Sequence, residues 1–345
     1  MRPRCHRPSA VNPATGRTRT KSDDVVRRAL LLLCALSLHA ASLAAEVYPA
    51  RPVRVIVAFA PGGGTDLTAR LVSQQLSEQT GKTFVVDNRA GASGTLGYGI
   101  AAKSPPDGYT LLLMDLSTVI VPNLFKSLPF DVANDYTPIT QIIGTPNVLL
   151  VSPAVSAATL REFIALAQAS PGKFNYGSAG AGSAIHLPSE LFNKAAKVNV
   201  THVPYKGGGE AMTALLGSHV DMLITTIPAA LAFVNGGKVR ALAVTTSGKR
   251  SPAMPDVPSM SEAGVAGMTV YSWYGFAGPA GLPAEVVTRI RAETAKALAV
   301  PTVRERFLAQ GAELVGSSPE DFSKLIRSEL RRWAEVVKAA GITPE

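Results

Sequence analysis

The sequence predicts an α/β protein, and three observations carry that prediction. Short β-branched apolar runs alternate with helical patterns along the chain beyond residue 45. Glycine-rich turns stand between a predicted strand and a predicted helix at residues 60–66 (APGGGTD), 177–183 (GSAGAGS) and 205–210 (YKGGGE). At 345 residues, 46% of them hydrophobic, the chain is long and apolar enough for two packed domains.

Taken in order, residues 53–59 (VRVIVAF) predict a strand and residues 60–64 a tight loop. Residues 65–79 predict a helix with Leu67, Leu71, Val72 and Leu76 on one face, stopped by Gly81. Strands follow at 83–86 and 109–114, with the turn AGASG at 90–94 opening a helix between them. A strand at 147–151 leaves this first unit. A second α/β series then runs through a helix at 159–169, strands at 174–177 and 200–203, a helix ending at Leu216, and segments at 220–224, 229–235 and 239–245. The tail is helical: residues 283–299, then a helix opened by Ser318, Pro319 and an acid at Asp321, which is N-cap, N1 and N3 chemistry. Trp333 falls on the apolar stripe of that last helix and reads as packing.

The first 45 residues are different. A basic stretch ending in Arg27-Arg28 leads into the apolar run 29–38 and then into small residues around Ser42, Leu43 and Ala44. That order predicts a secretory signal peptide cleaved near Ala44 and export from the cytoplasm. Eight Lys/Arg and two Asp lie in it, so six of the nine formal positive charges belong to the leader. The basic balance is therefore no sign of nucleic-acid binding. Cys5 and Cys34, the two cysteines, lie in it as well. The remaining chain thus offers no disulfide, thiol nucleophile or Cys metal site.

The chemistry-bearing motifs point to anion binding. A helix start offers unpaired N–H groups and the positive end of the helix dipole, and glycine lets an anion approach the backbone. APGGGTD lacks the spacing of a P-loop, and GSAGAGS lacks that of a dinucleotide fingerprint. No G-x-S-x-G elbow is present, and His186, His202 and His219 show no metal spacing. Asp66 reads first as a cap of the opening helix or its loop.

At these turns the chain resembles the Bug-type receptors, the periplasmic substrate-binding proteins of tripartite tricarboxylate transporters. The resemblance covers residues 48–342. It rests on ordered segments that include YPARPVRVIVAFAPGGGTD, VVDNRAGASGTLG, SPPDGYTLLL, PFDVANDYTPIT, GTPNVLLV, GSAGAGSAIHL, VPYKGGGEAMTALLGSHVDM and WYGFAGPAGLP. It implies two α/β domains with a ligand cleft between them, of the periplasmic-binding-protein (Venus-flytrap) kind. Residues 46–147 with 271–345 form the first domain and 148–270 the second. It implies no catalysis and no cofactor. The expected ligand is a small carboxylate, the expected partners are the membrane components of such a transporter, and the expected state is a monomer.

Carried over residue by residue, the resemblance implies ligand contacts from Phe59, Ala60, Gly62, Gly63, Thr65 and Asp66 in the first domain. The second contributes Ser178, Gly180, Ser183 and His186, the Tyr205, Gly207 and Gly208 loop, and Asp221 near the cleft for a ligand amino group. Ser117, Thr118, Asn147 and Thr226 are cleft-edge candidates. Pro188 departs from the family pattern and predicts a helix that starts late, which bears on where Ser183 and His186 point. Two other functions remain open at this point: a carboxylate sensor signalling to a membrane partner, and a periplasmic hydrolase built on Ser178, Ser183 and His186.

Overall fold

A computed structural model of the chain describes residues 48–340. The predicted signal peptide and its cleavage site lie outside the described residues. Among those residues no helix is long and apolar enough to cross a membrane.

The first half opens with β1 (Val53–Val57), α1 (Gly64–Thr80), β2 (Phe84–Asn88), α2 (Thr95–Ala102), β3 (Thr110–Asp115) and the short α3 (Leu116–Ile120). The long strand β4 (Tyr136–Val151) leads out of it. The second half holds α4 (Leu160–Ala169), β5 (Asn175–Ser178), α5 (His186–Ala196), β6 (Thr201–Pro204), α6 (Gly208–Leu216), β7 (Met222–Thr226), α7 (Ile227–Asn235) and β8 (Arg240–Val244). Strand β9 (Tyr271–Pro279) returns to the first half. It is followed by α8 (Ala284–Ala299), α9 (Pro301–Ala309), β10 (Glu313–Leu314) and α10 (Pro319–Ala340).

The strands form one path, β2-β1-β3-β9-β4-β7-β5-β6, with β8 and β10 also paired to β4. In the first half β1 pairs in parallel with β2 and β3, and in the second β5 pairs in parallel with β6 and β7. β4 joins them. Its residues up to Pro146 pair with β9, and from Asn147 onward it pairs with β7 and β8. This partner switch makes β4 and β9 the two crossing segments. Apolar clusters cover each face of each half; Val55, Val72, Leu76 and Phe276 share one, and Phe163, Tyr176, Phe192 and Ile224 another.

Most predicted elements occur within a residue or two of the expected bounds. The strand expected at 147–151 is longer, because it begins at Tyr136. Its residues are buried on both sides, so it shows no alternation to mark it. Leu67, placed on the apolar face of α1, is 39% exposed, while Val72 and Leu76 are buried. The last helix starts as expected: the Asp321 N–H donates to Ser318 Oγ at 3.0 Å, with Pro319 behind the cap. Trp333 is fully buried and donates from Nε1 to Glu329.

Candidate functional site

Ligand sites in open α/β sheets form at the carboxyl ends of parallel strands, where helices begin. Here those ends converge from both halves. β1 runs into residues 58–63 and α1, β3 ends at Asp115, β5 ends at Ser178, and β7 ends at Thr226. A cavity of about 40 Å³ lies among them, room for two or three waters. Phe59, Gly63, Thr65, Asp66, Asp115 and Ser117 line its first-half wall. Ala179, Ser183, Ile185, Gly208 and Thr226 line the second-half wall, and Asn147, Ser272 and Tyr274 of the crossing strands complete it.

The first-half wall is built around Asp66. Its carboxylate accepts from Gly62 N and Arg70 Nε on one oxygen and from Asn88 Nδ2 on the other, each at 3.0 Å. Burial raises its pKa, but the Arg70, Gly62 and Asn88 hydrogen bonds outweigh that and hold it below the ordinary value. Asp66 therefore shapes the 60–64 loop, and its acceptor positions are occupied by that loop and its neighbours. The loop leads directly into α1, whose first residues Gly64, Thr65 and Asp66 line the cavity beside Gly63. Gly64 is needed for another reason: a Cβ there would collide with the Tyr274 hydroxyl.

Asp115 closes the inner end. It is 2% exposed and caps α3. It accepts from Tyr98 Oη at 2.8 Å, Thr65 Oγ1 at 2.9 Å, Ser117 N at 3.0 Å and the Thr118 backbone. Burial pushes its pKa up, opposed by those hydrogen bonds. Burial first and then the Asp115 charge raise the Tyr274 hydroxyl above its usual value. Asn147, 1% exposed, accepts on Oδ1 from Ser272 Oγ at 3.0 Å, while its Nδ2 has no protein partner.

The second-half wall is the 178–183 loop. Ser178 Oγ lies 2.5 Å from His202 Nε2 and also contacts Gly180. Gly182 N donates to His186 Nδ1 at 3.1 Å. The two imidazole rings are 4.3 Å apart. Burial lowers His186 to about 4; burial, then the neighbouring His186, lowers His202 to about 4. Both are neutral at neutral pH, so His186 Nδ1 is free to accept. Pro188 lies in the first turn of α5, where no helical N–H bond is lost, and α5 begins at His186 rather than at Ser183.

The two halves touch over this cavity. Ala60 N donates to Lys206 O at 3.3 Å, and Ala184 N to Ser117 Oγ at 2.9 Å. The 60–63 and 206–209 loops lie backbone against backbone. A Cβ on Gly207 would sit 2.9 Å from Ala60 N, and one on Gly209 would strike the Pro61 carbonyl.

Of the expected site residues, Phe59, Ala60, Gly63, Thr65, Asp66, Ser117, Asn147, Ser183, Gly208 and Thr226 line the cavity. Gly62 and Gly207 sit at the loop contact above it. Ser178 and His186 lie behind the second-half wall as its scaffold, Gly180 lies against Ser93 of the first half, and Thr118 lies behind Asp115. Tyr205 faces a separate outer depression with Glu210 and His219. Asp221 is a correction. It stands at the opposite end of β7, about 13 Å along the strand from Thr225. There its carboxylate accepts from Asn175 N. It does not border the cavity. Asp115, Ser272 and Tyr274 were not anticipated. Only Asp115 had a local signal, the cap-like Asp-Leu-Ser-Thr after a strand.

Comparison with known proteins fits this picture. The family model described as "Tripartite tricarboxylate transporter family receptor" matches residues 68–342. Protein BugT of Bordetella pertussis is 37% identical over 304 residues, 88% of this chain and 93% of that one. The structure "R. palustris Rpa4515 with adipate" superposes with a TM-score of 0.83 at 36% identity, covering 86% of this chain and 100% of the other. That of MatC (Rpa3494) from Rhodopseudomonas palustris with bound malate has a TM-score of 0.81 at 34% identity, covering 84% and 100%.

Proposed function

Because the chain belongs to the tripartite tricarboxylate transporter receptor family, a family of periplasmic solute-binding proteins, we propose that it captures a small carboxylate in the cleft between its halves and delivers it to a transporter of that type. The observation that carries this reading is the meeting of two helix starts, α1 and α6, from opposite halves over a cavity to which Ser117, Asn147, Ser183 and Thr226 contribute neutral polar groups. Backbone N–H groups and hydroxyls satisfy a carboxylate without burying an unpaired cation. Two relatives of similar fold hold adipate and malate, which is consistent with that ligand class.

In this reading residues 46–147 with 271–345 are one domain, 148–270 the other, and the hinge lies where β4 and β9 cross. The 60–63 and 206–209 loops meet backbone against backbone over the cavity, so in this reading loading requires them to part and close again over the ligand. The closed pair of loops then offers one continuous face to the membrane partner.

A thermal-shift screen against mono-, di- and tricarboxylates, amino acids and aromatic acids tests the reading. A ligand at 100 times its dissociation constant stabilises by about 2.7 kcal/mol, a readily measured shift. Absence of a shift with every carboxylate, and a shift with a ligand lacking one, sinks it.

A further inference from the structure

Asn147 and Thr226 are register partners in the antiparallel β4–β7 ladder, so their side chains stand next to each other on one face. Both residues are buried and both line the cavity. Each carries a side-chain atom with no hydrogen bond of ordinary geometry to the protein, Asn147 Nδ2 and Thr226 Oγ1. A buried polar group without a partner is costly, and two side by side at one cavity point to a group that satisfies both. We propose that Asn147 and Thr226 form the subsite for the ligand's carboxylate, and that Ser272 is a positioning residue that holds the Asn147 amide for it. This deepens the carboxylate reading above and rests on it.

Neither side chain has its free group spent on the fold. Thr226 is the N-cap residue of α7, a place where a threonine hydroxyl ordinarily accepts from the second or third helical N–H. Here it makes no cap bond, and the second helical residue, Pro228, has no N–H to offer. The hydroxyl lies instead beside Gly64 and near the Tyr274 hydroxyl, where the first turn of α1 borders the cavity. Asn147 has its backbone N and O both bonded to Thr245, and its Oδ1 accepts from Ser272 Oγ at 3.0 Å. Among the described residues Ser272 Oγ makes no other hydrogen bond, so turning the amide over would strip its proton of an acceptor. That leaves Nδ2, with two hydrogens to give, as the one uncommitted polar atom of Asn147.

A carboxylate fits these groups. It brings lone pairs and no hydrogen, so it accepts from Nδ2 and from the Thr226 hydroxyl together, and hydrogen bonds to an ionised acceptor are the stronger kind. An ammonium group would meet Nδ2 donor against donor. The place in the fold adds to this. Asn147 is the first residue of β4 past the point where its partner changes from β9 to β7. A carboxylate held there is bonded at the crossing itself, on a strand that both halves share.

The test takes acetate, succinate, malate, adipate, citrate, glutamate and benzoate as probes, by calorimetry on the purified protein at neutral pH, and carries the tightest binder forward. Thr226→Val keeps the shape and removes the hydroxyl. Its affinity is expected to fall at least about tenfold, while its melting temperature without any probe stays level or rises, because no hydrogen bond to the protein is lost. Asn147→Leu is expected to lower affinity about thirtyfold or more. Ser272→Ala should cost about fivefold in the unaltered protein but less than about twofold in the Asn147→Leu background, where no amide is left to position. Thermal melts check folding, and Asn147→Ala takes the place of Asn147→Leu if the latter does not fold. Equal losses from Ser272→Ala in both backgrounds overturn its positioning role. Affinity within about twofold of the unaltered protein in Thr226→Val or the folded Asn147 variant overturns the subsite, as does a Thr226→Val that loses stability together with affinity. Failure of every probe to bind the unaltered protein overturns the carboxylate reading, and the subsite with it.

Discussion

The two walls of the cleft are held in place by opposite chemistry. The first-half loop is fixed by an ionised carboxylate, Asp66, which gathers Gly62, Arg70 and Asn88 around one charge. The second-half loop is fixed by two neutral imidazoles, His186 and His202, one accepting from Gly182 and the other meeting Ser178. Both solutions fix a glycine-rich loop that walls the cavity, but they respond to acid differently. Asp66 has a lowered pKa, so its contribution is present above the unfolded value of 3.8 and is lost only below it. The histidines fall from 6.5 to about 4. The unfolded chain therefore takes up protons first, and stability drains away as pH falls from 6.5 toward 4. Acid loosens the second wall while the first still holds.

The strongest way to break the comparison is to stop the walls from meeting. Gly207→Val keeps an extended backbone but drives its side chain into Ala60; affinity should fall by roughly two orders of magnitude with the melting temperature little changed. Calorimetry and small-angle scattering check it, and retained affinity would show that the loops do not close over the ligand. Next comes Asp66→Ala, which strands the Gly62 N–H and leaves Asn88 Nδ2 with only the Phe59 carbonyl; it should cost about 2–3 kcal/mol in urea unfolding.

Acid titration of the melting temperature sharpens the contrast. The unaltered protein should lose stability steadily between pH 6.5 and 4, and a His186→Asn, His202→Gln variant should show a shallower slope across that window. Equal slopes would remove the histidines from the account. The smallest effects separate wall from scaffold. Ser183→Ala, which removes a hydroxyl lining the cavity, should weaken binding a few-fold. Ser178→Ala should cost about 1 kcal/mol of stability yet leave affinity within about twofold, because its hydroxyl is turned to His202 and Gly180.

The first wall was largely legible in the sequence because it is local. Strand, APGGGTD loop and helix are contiguous, and Asp66 reaches back only four residues to Gly62. The second wall was half legible. The glycine loop is contiguous, but His202 comes from the next strand, 24 residues beyond Ser178. Asp221 was misplaced because a strand's sequence does not say which of its ends faces a cleft.

By itself the sequence determined the alternation of strands and helices, the helix starts that follow glycine turns, and the Ser318-Pro319 cap of α10. Each depends on periodicity or on a few neighbouring residues. Only the tertiary structure decided that Asp115 is buried among Tyr98, Thr65 and Ser117, that Asn147 keeps a free donor, and that Tyr274 covers the start of α1. Asn147 and Ser272 are 125 positions apart and meet because β4 and β9 cross side by side. Both strands are almost wholly buried, so neither has the alternation that marks a half-exposed strand. Which donors are spent and which remain free is set by long-range pairing, and sequence periodicity reports only which faces are buried.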